Sequence, residues 1–229
     1  MKGSQFARIL LLILFKTAVF LCTLVSNIMK GNFYMSDILP SFSGRTITYG
    51  HMQYRILESL GSGAYGVVYL AQDLNSPLFN PHFYAVKCLL RHAADTELAA
   101  TQEREIECHT MLSHHPNVIT LRHVIVEDHY VFLVMDYHSG GDLFGAITNK
   151  GVYVNNDRAV KRTFLQLIDA VERCHDLGVS HRDLKPENIL CSPDYDQVFL
   201  GDFGLATQEE VCSSFGCGSS YYMSAGTHT

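Results

Sequence analysis

The stretch VSHRDLKPENIL, residues 179–190, gathers His181, Arg182, Asp183, Lys185, Glu187 and Asn188 within a dozen positions, flanked by apolar residues. Charge that dense is either a solvated turn punctuated by Pro186 or a loop built to do chemistry. Two other places indicate which chemistry. GSGAYG, Gly61 to Gly66, matches G-x-G-x-x-G, and the run VVYLA that follows continues as a strand rather than a helix. The glycines therefore cap a hairpin, a geometry that lets backbone N–H groups lie over phosphates, unlike the strand-to-helix turn of a dinucleotide fold. Lys87, in the apolar run AVK, reads as an edge charge reaching water unless a buried partner exists. Glu105 supplies the need for one: Leu98, Thr101, Glu105, Cys108 and Leu112 recur at spacings of three and four, so Glu105 shares the inward face of a helix. A carboxylate there is costly without a cation. A Lys held by it stays charged and points at the phosphates of a nucleotide beneath the glycine turn.

The elements that must position these groups follow from periodicity. Tyr54 to Leu60 and Gly66 to Gln72 read as the hairpin strands, Phe83 to Leu90 as a third strand, and Leu121 to Glu127 and Tyr130 to Asp136 as two more around a tight turn. Thr96 to Ser113 is the helix that carries Glu105. Between the second and third strands, NSPLFNPH marks a roomy loop. From Asn156 to Leu177 the residues Val160, Phe164, Leu167, Ile168, Val171 and Cys174 trace one helical stripe, closed by Gly178. Short apolar runs at Ile189 to Cys191 and Val198 to Leu200 precede GDFG. The expected organisation is a hydrophobic segment over 1–28, a linker over 29–53 and a domain over 54–229.

Composition bounds the rest. The 229 residues, 47% of them hydrophobic, suffice for one large domain, and a net charge of -6 without a Lys/Arg run argues against nucleic acid as a partner. The seven cysteines show no paired metal-ligand spacing, and read as reduced thiols in a cytosolic setting. Residues 9–28, ILLLILFKTAVFLCTLVSNI, are long enough to span a bilayer. They are either a membrane anchor or a stretch upstream of the true start at Met29, Met35 or Met52, so localisation is read as cytoplasmic with a membrane-anchored alternative.

GSGAYGVV, YAVK, HRDLKPEN and DFG, in this order, resemble the eukaryotic protein kinases. The resemblance runs from about Tyr54 to Ser224 and implies an α+β bilobal fold, with a complete β-rich N-lobe, an incomplete helical C-lobe, and ATP with Mg2+ in the cleft between them. It implies that Asp183 orients or accepts the proton of the attacking hydroxyl, that Lys185 steadies the transferring phosphoryl group, and that Asn188 and Asp202 hold Mg2+. Lys87 and Glu105 form the phosphate-binding pair, and Gly61, Ser62, Gly63, Ala64, Tyr65 and Gly66 form the loop over the phosphates. Leu60, Val68, Ala85 and Leu190 wall the adenine, with Met135 behind it and a hinge at Asp136, Tyr137 and His138, while Asp142 reaches the ribose. His181 packs near Phe203, and Arg182 meets a phosphate on the activation segment.

A Lys two positions after Asp183 resembles the Ser/Thr-specific members, which implies protein substrates with Ser or Thr acceptors. Ser219 falls where such kinases place a hydroxyl that contacts the catalytic Asp and Lys, and FGCGSSYYMS is similar to a fungal group of nutrient- and meiosis-linked kinases. After Ser224 the family pattern continues with Pro-Glu, whereas this chain reads AGTHT. Without later helices the segment 206–224 is expected to be mobile, Ser219 to lose its grip on Asp183 and Lys185, and the stripe of the long helix to show an apolar flank. The competing reading is an inactive nucleotide-binding or interaction module.

Overall fold

The computed structural model describes residues 39–63, 66–209, 218–219 and 222. Six antiparallel strands form the first layer: β1 (Thr46–Tyr49), β2 (Met52–Gly63), β3 (Gly66–Asp73), β4 (Phe83–Leu90), β5 (Leu121–Val126) and β6 (Tyr130–Asp136), ordered β1-β2-β3-β4-β6-β5. The β2–β3 hairpin closes at the pair Gly63 and Gly66, and its register shifts between Ile56 and Gly61, where irregular pairing bends the strand towards its glycine end.

Alternation along the central strands sends side chains to two different cores. Val86 and Cys88 of β4 join Phe132 and Val134 of β6 and Tyr54 and Ile56 of β2 on one face. Leu89, Val131 and Leu133 lie on the other, against Ile106 of helix α1 (Glu97–Leu112). Lys87 has the parity of Leu89, so the strand itself aims Lys87 at the helix.

One strand lies outside the expected set. β1 falls inside the segment 29–53 read as a linker, and the described part of that segment packs into the lobe, with Leu39 and Phe42 buried. The Phe42 ring meets Tyr69, Tyr130 and Phe132 edge-on at 6.2, 4.9 and 5.4 Å. The curled sheet brings its two edges together: Tyr49 of β1 stacks on His123 of β5 at 4.3 Å, and Arg45 pairs with Glu127 while covering the Phe42 and Phe132 rings. A four-residue strand with burial at only one position carries no alternation that a sequence reading could detect.

Helix α1 begins at Thr96, whose hydroxyl accepts from Ala99 N–H at 3.1 Å. Its inward residues are Ala99, Glu105, Cys108, His109 and Leu112. Leu98, expected on that face, is exposed, and Ala99 is the buried residue of the first turn.

The second layer holds α2 (Leu143–Thr148), α3 (Asp157–Asp176) and a two-stranded sheet of β7 (Ile189–Cys191) and β8 (Val198–Leu200). Its core joins Leu112, Val118, Leu143, Ala170, Cys174, Ile189, Leu200 and Phe203. Helix α3 is capped by Asn156 and ends at Gly178, which has φ +68°. It buries Ala159, Thr163, Ala170 and Cys174, whereas Phe164, Leu165 and Ile168 are half exposed. The packed face is therefore turned towards the small residues, away from part of the apolar stripe. Among the described residues no helix is long and apolar enough to cross a membrane, and residues 9–28 lie outside them.

Candidate active site

Lys87 Nζ donates to Glu105 Oε1 at 2.6 Å and to Asp202 Oδ1 at 3.1 Å. Strand β4, helix α1 and the segment after β8 each deliver one member of this trio. Burial works against the Lys87 charge, but the two carboxylates outweigh it and hold its pKa above the usual lysine value. For Asp202 burial raises the pKa, and the Lys87 charge overcomes this to leave the carboxyl below its normal range. The site is ionised on both sides at neutral pH.

Asp202 has φ +56° and Arg182 φ +65°. Left-handed backbone at non-glycine residues is uncommon and collects at functional sites. Here it turns Asp202 towards Lys87 just as Phe203, fully buried, anchors the segment. Phe203 sits between His109 and His181, each with its ring centroid 4.9 Å away. The His109 Nε2–H donates to the Ile119 carbonyl at 2.7 Å, and the His181 Nε2–H donates to the Gly201 carbonyl at 2.9 Å. His181 Nδ1 accepts the Asp183 N–H at 3.3 Å, which fits a neutral ring. Burial lowers the pKa of both histidines, that of His109 to about 4. Arg182 Nε donates to the Leu205 carbonyl at 2.6 Å.

Asp183 is the centre of a second network. Lys185 Nζ donates to its Oδ2 at 2.6 Å, and Asn188 Nδ2 donates to the same oxygen at 3.0 Å and to the Asp183 carbonyl at 2.9 Å. Oδ1 accepts from both the N–H and the Oγ–H of Ser219, at 3.0 and 2.8 Å, while Ser219 Oγ accepts from Lys185 at 2.9 Å. Burial raises the Asp183 pKa, but the bonds from Lys185 and Ser219 more than offset it, and the carboxyl lies below its usual range. The expectation that Ser219 loses hold of Asp183 and Lys185 is corrected here: its backbone and side chain together bind the carboxylate, while most of the segment 206–224, expected to be mobile, lies outside the described residues.

The nucleotide-pocket candidates lie on β2, β3, β4 and β6, on the segment after β6 and on β7. Val68 is paired with Lys87 and Ala85 with Met135, so these four occupy one face of the sheet. Leu60, Gly61, Ser62 and Gly63 end β2 in exposed positions, and Ala64 and Tyr65 lie outside the described residues. Gly66 is required by packing: a Cβ there would lie 2.6 Å from the Cys88 carbonyl oxygen. Asp136 is gripped by Arg122 through two bonds of 2.7 Å. The Tyr137 and His138 positions carry the chain on towards α2, and Leu190 bridges to Asp142. The Asp142 carboxylate accepts the Gly145 N–H at 2.6 Å and so caps α2.

Among the described residues no three His, Cys, Asp or Glu side chains cluster to hold a metal by themselves. Asp202 uses Oδ1 for Lys87, and Asn188 turns its amide nitrogen to Asp183, which leaves an oxygen on each. Two oxygen donors, with phosphate and water oxygens to complete the set, suit a hard cation of the Mg2+ type.

A model of the protein kinase domain matches residues 54–226. The chain belongs to the protein kinase family. Its relatives place it in the eukaryotic serine/threonine branch. It is 46% identical over 170 residues to a negative regulator of sexual conjugation and meiosis of Schizosaccharomyces pombe, covering 74% of this chain and 35% of that protein. Over 177 residues it is 36% identical to the serine/threonine-protein kinase ksp1 of the same yeast, covering 74% of this chain and 36% of the relative. Rat calcium/calmodulin-dependent protein kinase type 1B is 37% identical over 155 residues, 67% of this chain and 43% of that protein. The chain thus spans between a third and a half of the length of these relatives.

Three contributors to the site of this kinase domain stand outside the candidates read from the sequence. Arg122, which fixes Asp136, sits on an edge strand with no pattern to distinguish it. Phe199, on which His138 stacks at 3.7 Å, reads as ordinary core. His109 had a signal: it follows Glu105 by four positions and so shares its inward face.

Proposed function

We propose that this kinase domain transfers the γ-phosphoryl group of ATP to Ser or Thr hydroxyls of protein substrates. The observation that carries the reading is the pair of networks on facing segments, Lys87 with Glu105 and Asp202, and Asp183 with Lys185, Asn188 and Ser219.

Lys87, kept charged by two carboxylates, binds phosphate oxygens, and the glycine turn from Gly61 to Gly66 covers them with backbone N–H groups. Val68, Ala85, Met135 and Leu190 exclude water from the base, and the backbone of Asp136 to His138 meets its polar edge. Asp202 and Asn188 would hold Mg2+, which when bound neutralises charge on the phosphates. Asp183, ionised and aimed by Lys185 and Ser219, orients the acceptor hydroxyl and takes its proton. Lys185 neutralises charge that develops on the transferring group. Ser219 limits the freedom of Asp183, and alignment to within about 1 Å is worth on the order of a hundredfold in rate.

The test is transfer from radiolabelled ATP with Mg2+ to a generic protein substrate, followed by phosphoamino-acid analysis. Phosphoserine and phosphothreonine are expected. Label on tyrosine alone, or no transfer by a chain that demonstrably binds Mg-ATP, would overturn the reading.

A further inference from the structure

We infer that Phe199 is a positioning residue for the adenine base, acting through the imidazole of His138. The inference rests on the nucleotide reading above and extends it to a residue on the far side of the connecting segment.

Residues 136–141 carry the chain from β6 to α2, and both ends of this segment are anchored. At the sheet end Asp136 takes two bonds from Arg122, and its N–H donates to the Thr120 carbonyl at 3.0 Å. At the other end Gly140 is pressed onto β7, where a Cβ would lie 2.3 Å from the Ser192 carbonyl oxygen and 2.4 Å from that of Cys191. Next to it the Cys191 N–H donates to the Gly141 carbonyl at 2.8 Å.

Between these anchors His138 lies flat on Phe199, with ring centroids 3.7 Å apart and planes within 17°. His138 Nε2 is buried and has no hydrogen-bond partner among the described residues, so that nitrogen does not orient the ring and the stack does. Burial pushes the His138 pKa down and keeps the ring neutral, the state in which an imidazole loses least by facing a phenyl ring instead of water. Phe199 is also the cross-strand partner of Leu190, and directly paired residues share a face of the sheet. One ring on β8 therefore supports both the apolar floor of the pocket and the segment whose backbone meets the base.

Two variants of the full chain separate ring stacking from bulk. Phe199→Leu keeps a branched apolar side chain, smaller and without a ring, and Phe199→Tyr keeps the ring. The expected result is that Phe199→Leu weakens Mg-ATP binding and raises the KM for ATP about threefold to tenfold, the range of one aromatic pair. Its kcat at saturating ATP stays unchanged, and amide exchange over residues 137–142 speeds up. Phe199→Tyr should return all of these towards wild type. Equal behaviour of the two variants, or a loss of kcat and melting temperature without a selective change in KM, overturns the inference. If the wild-type chain binds no Mg-ATP, the nucleotide reading fails by itself. The exchange comparison between the two variants, made without nucleotide, then still decides whether Phe199 holds the segment.

Discussion

Lys87 Nζ and Glu105 Oε1 are 2.6 Å apart in a site from which both side chains are almost wholly withdrawn from water. The pair joins the sheet to α1, and Asp202 extends it to the segment after β8. Removing the lysine strands two carboxylates, and removing Asp202 takes away a candidate metal ligand. Lys87→Met and Asp202→Asn should each reduce phosphotransfer to background, measured by radiolabel incorporation. Glu105→Gln keeps the shape but loses the charge, and a fall of about tenfold to a hundredfold in kcat/KM is expected, equivalent to about 1.4–2.7 kcal/mol.

Among the described residues the Ser219 side chain bonds to Asp183 and Lys185 and to none of the groups assigned to the nucleotide. Ser219→Ala should lower kcat by about tenfold to a hundredfold through misalignment of the carboxylate. The Mg-ATP dissociation constant, read by calorimetry, should not change. A matched loss of nucleotide affinity would mean that Ser219 supports the whole cleft rather than Asp183.

Stability should fall on mild acidification. Burial lowers the His109 pKa to about 4, against about 6.5 in an unfolded chain. Between these values the unfolded state binds the extra proton, so the stabilisation is fully present above pH 6.5 and is lost as pH drops towards the folded value. His181 is shifted in the same direction. His109→Gln can still donate to the Ile119 carbonyl but does not titrate. Urea unfolding at pH 7.5 and 5.5 should show wild type losing about 1 kcal/mol more than this variant.

The buried Phe42 and strand β1 make the start of the fold earlier than the kinase-domain match at Tyr54. A chain beginning at residue 29 should keep the melting temperature and nucleotide affinity of the full chain. One beginning at Tyr54 loses Phe42, Ile47 and the closure of the sheet edges, and should melt lower. Phe42→Ala alone should cost about 3–5 kcal/mol in urea unfolding.

Periodicity and motif together make much of this protein legible in its sequence. The inward parity of Glu105 demanded a cation before any partner was known, and the run after GSGAYG required a hairpin rather than a strand-to-helix turn. These are local properties: a helix face or a strand alternation is written in residues a few positions apart, where backbone geometry dictates which side chains are neighbours. The tertiary structure decided the rest. Phe42 joins the core by meeting Tyr69, Tyr130 and Phe132, up to 90 positions away. Helix α3 shows the apolar flank expected of its stripe at Phe164, but it also buries Ala159 and Ala170, which lie outside that stripe. Ser219 reaches Asp183 across 36 positions, and His138 finds Phe199 only because the chain returns through β8 beneath it. Contacts at such separations depend on how whole layers pack, and a sequence specifies that packing through the sum of many weak complementary interactions rather than through any pattern readable in one segment.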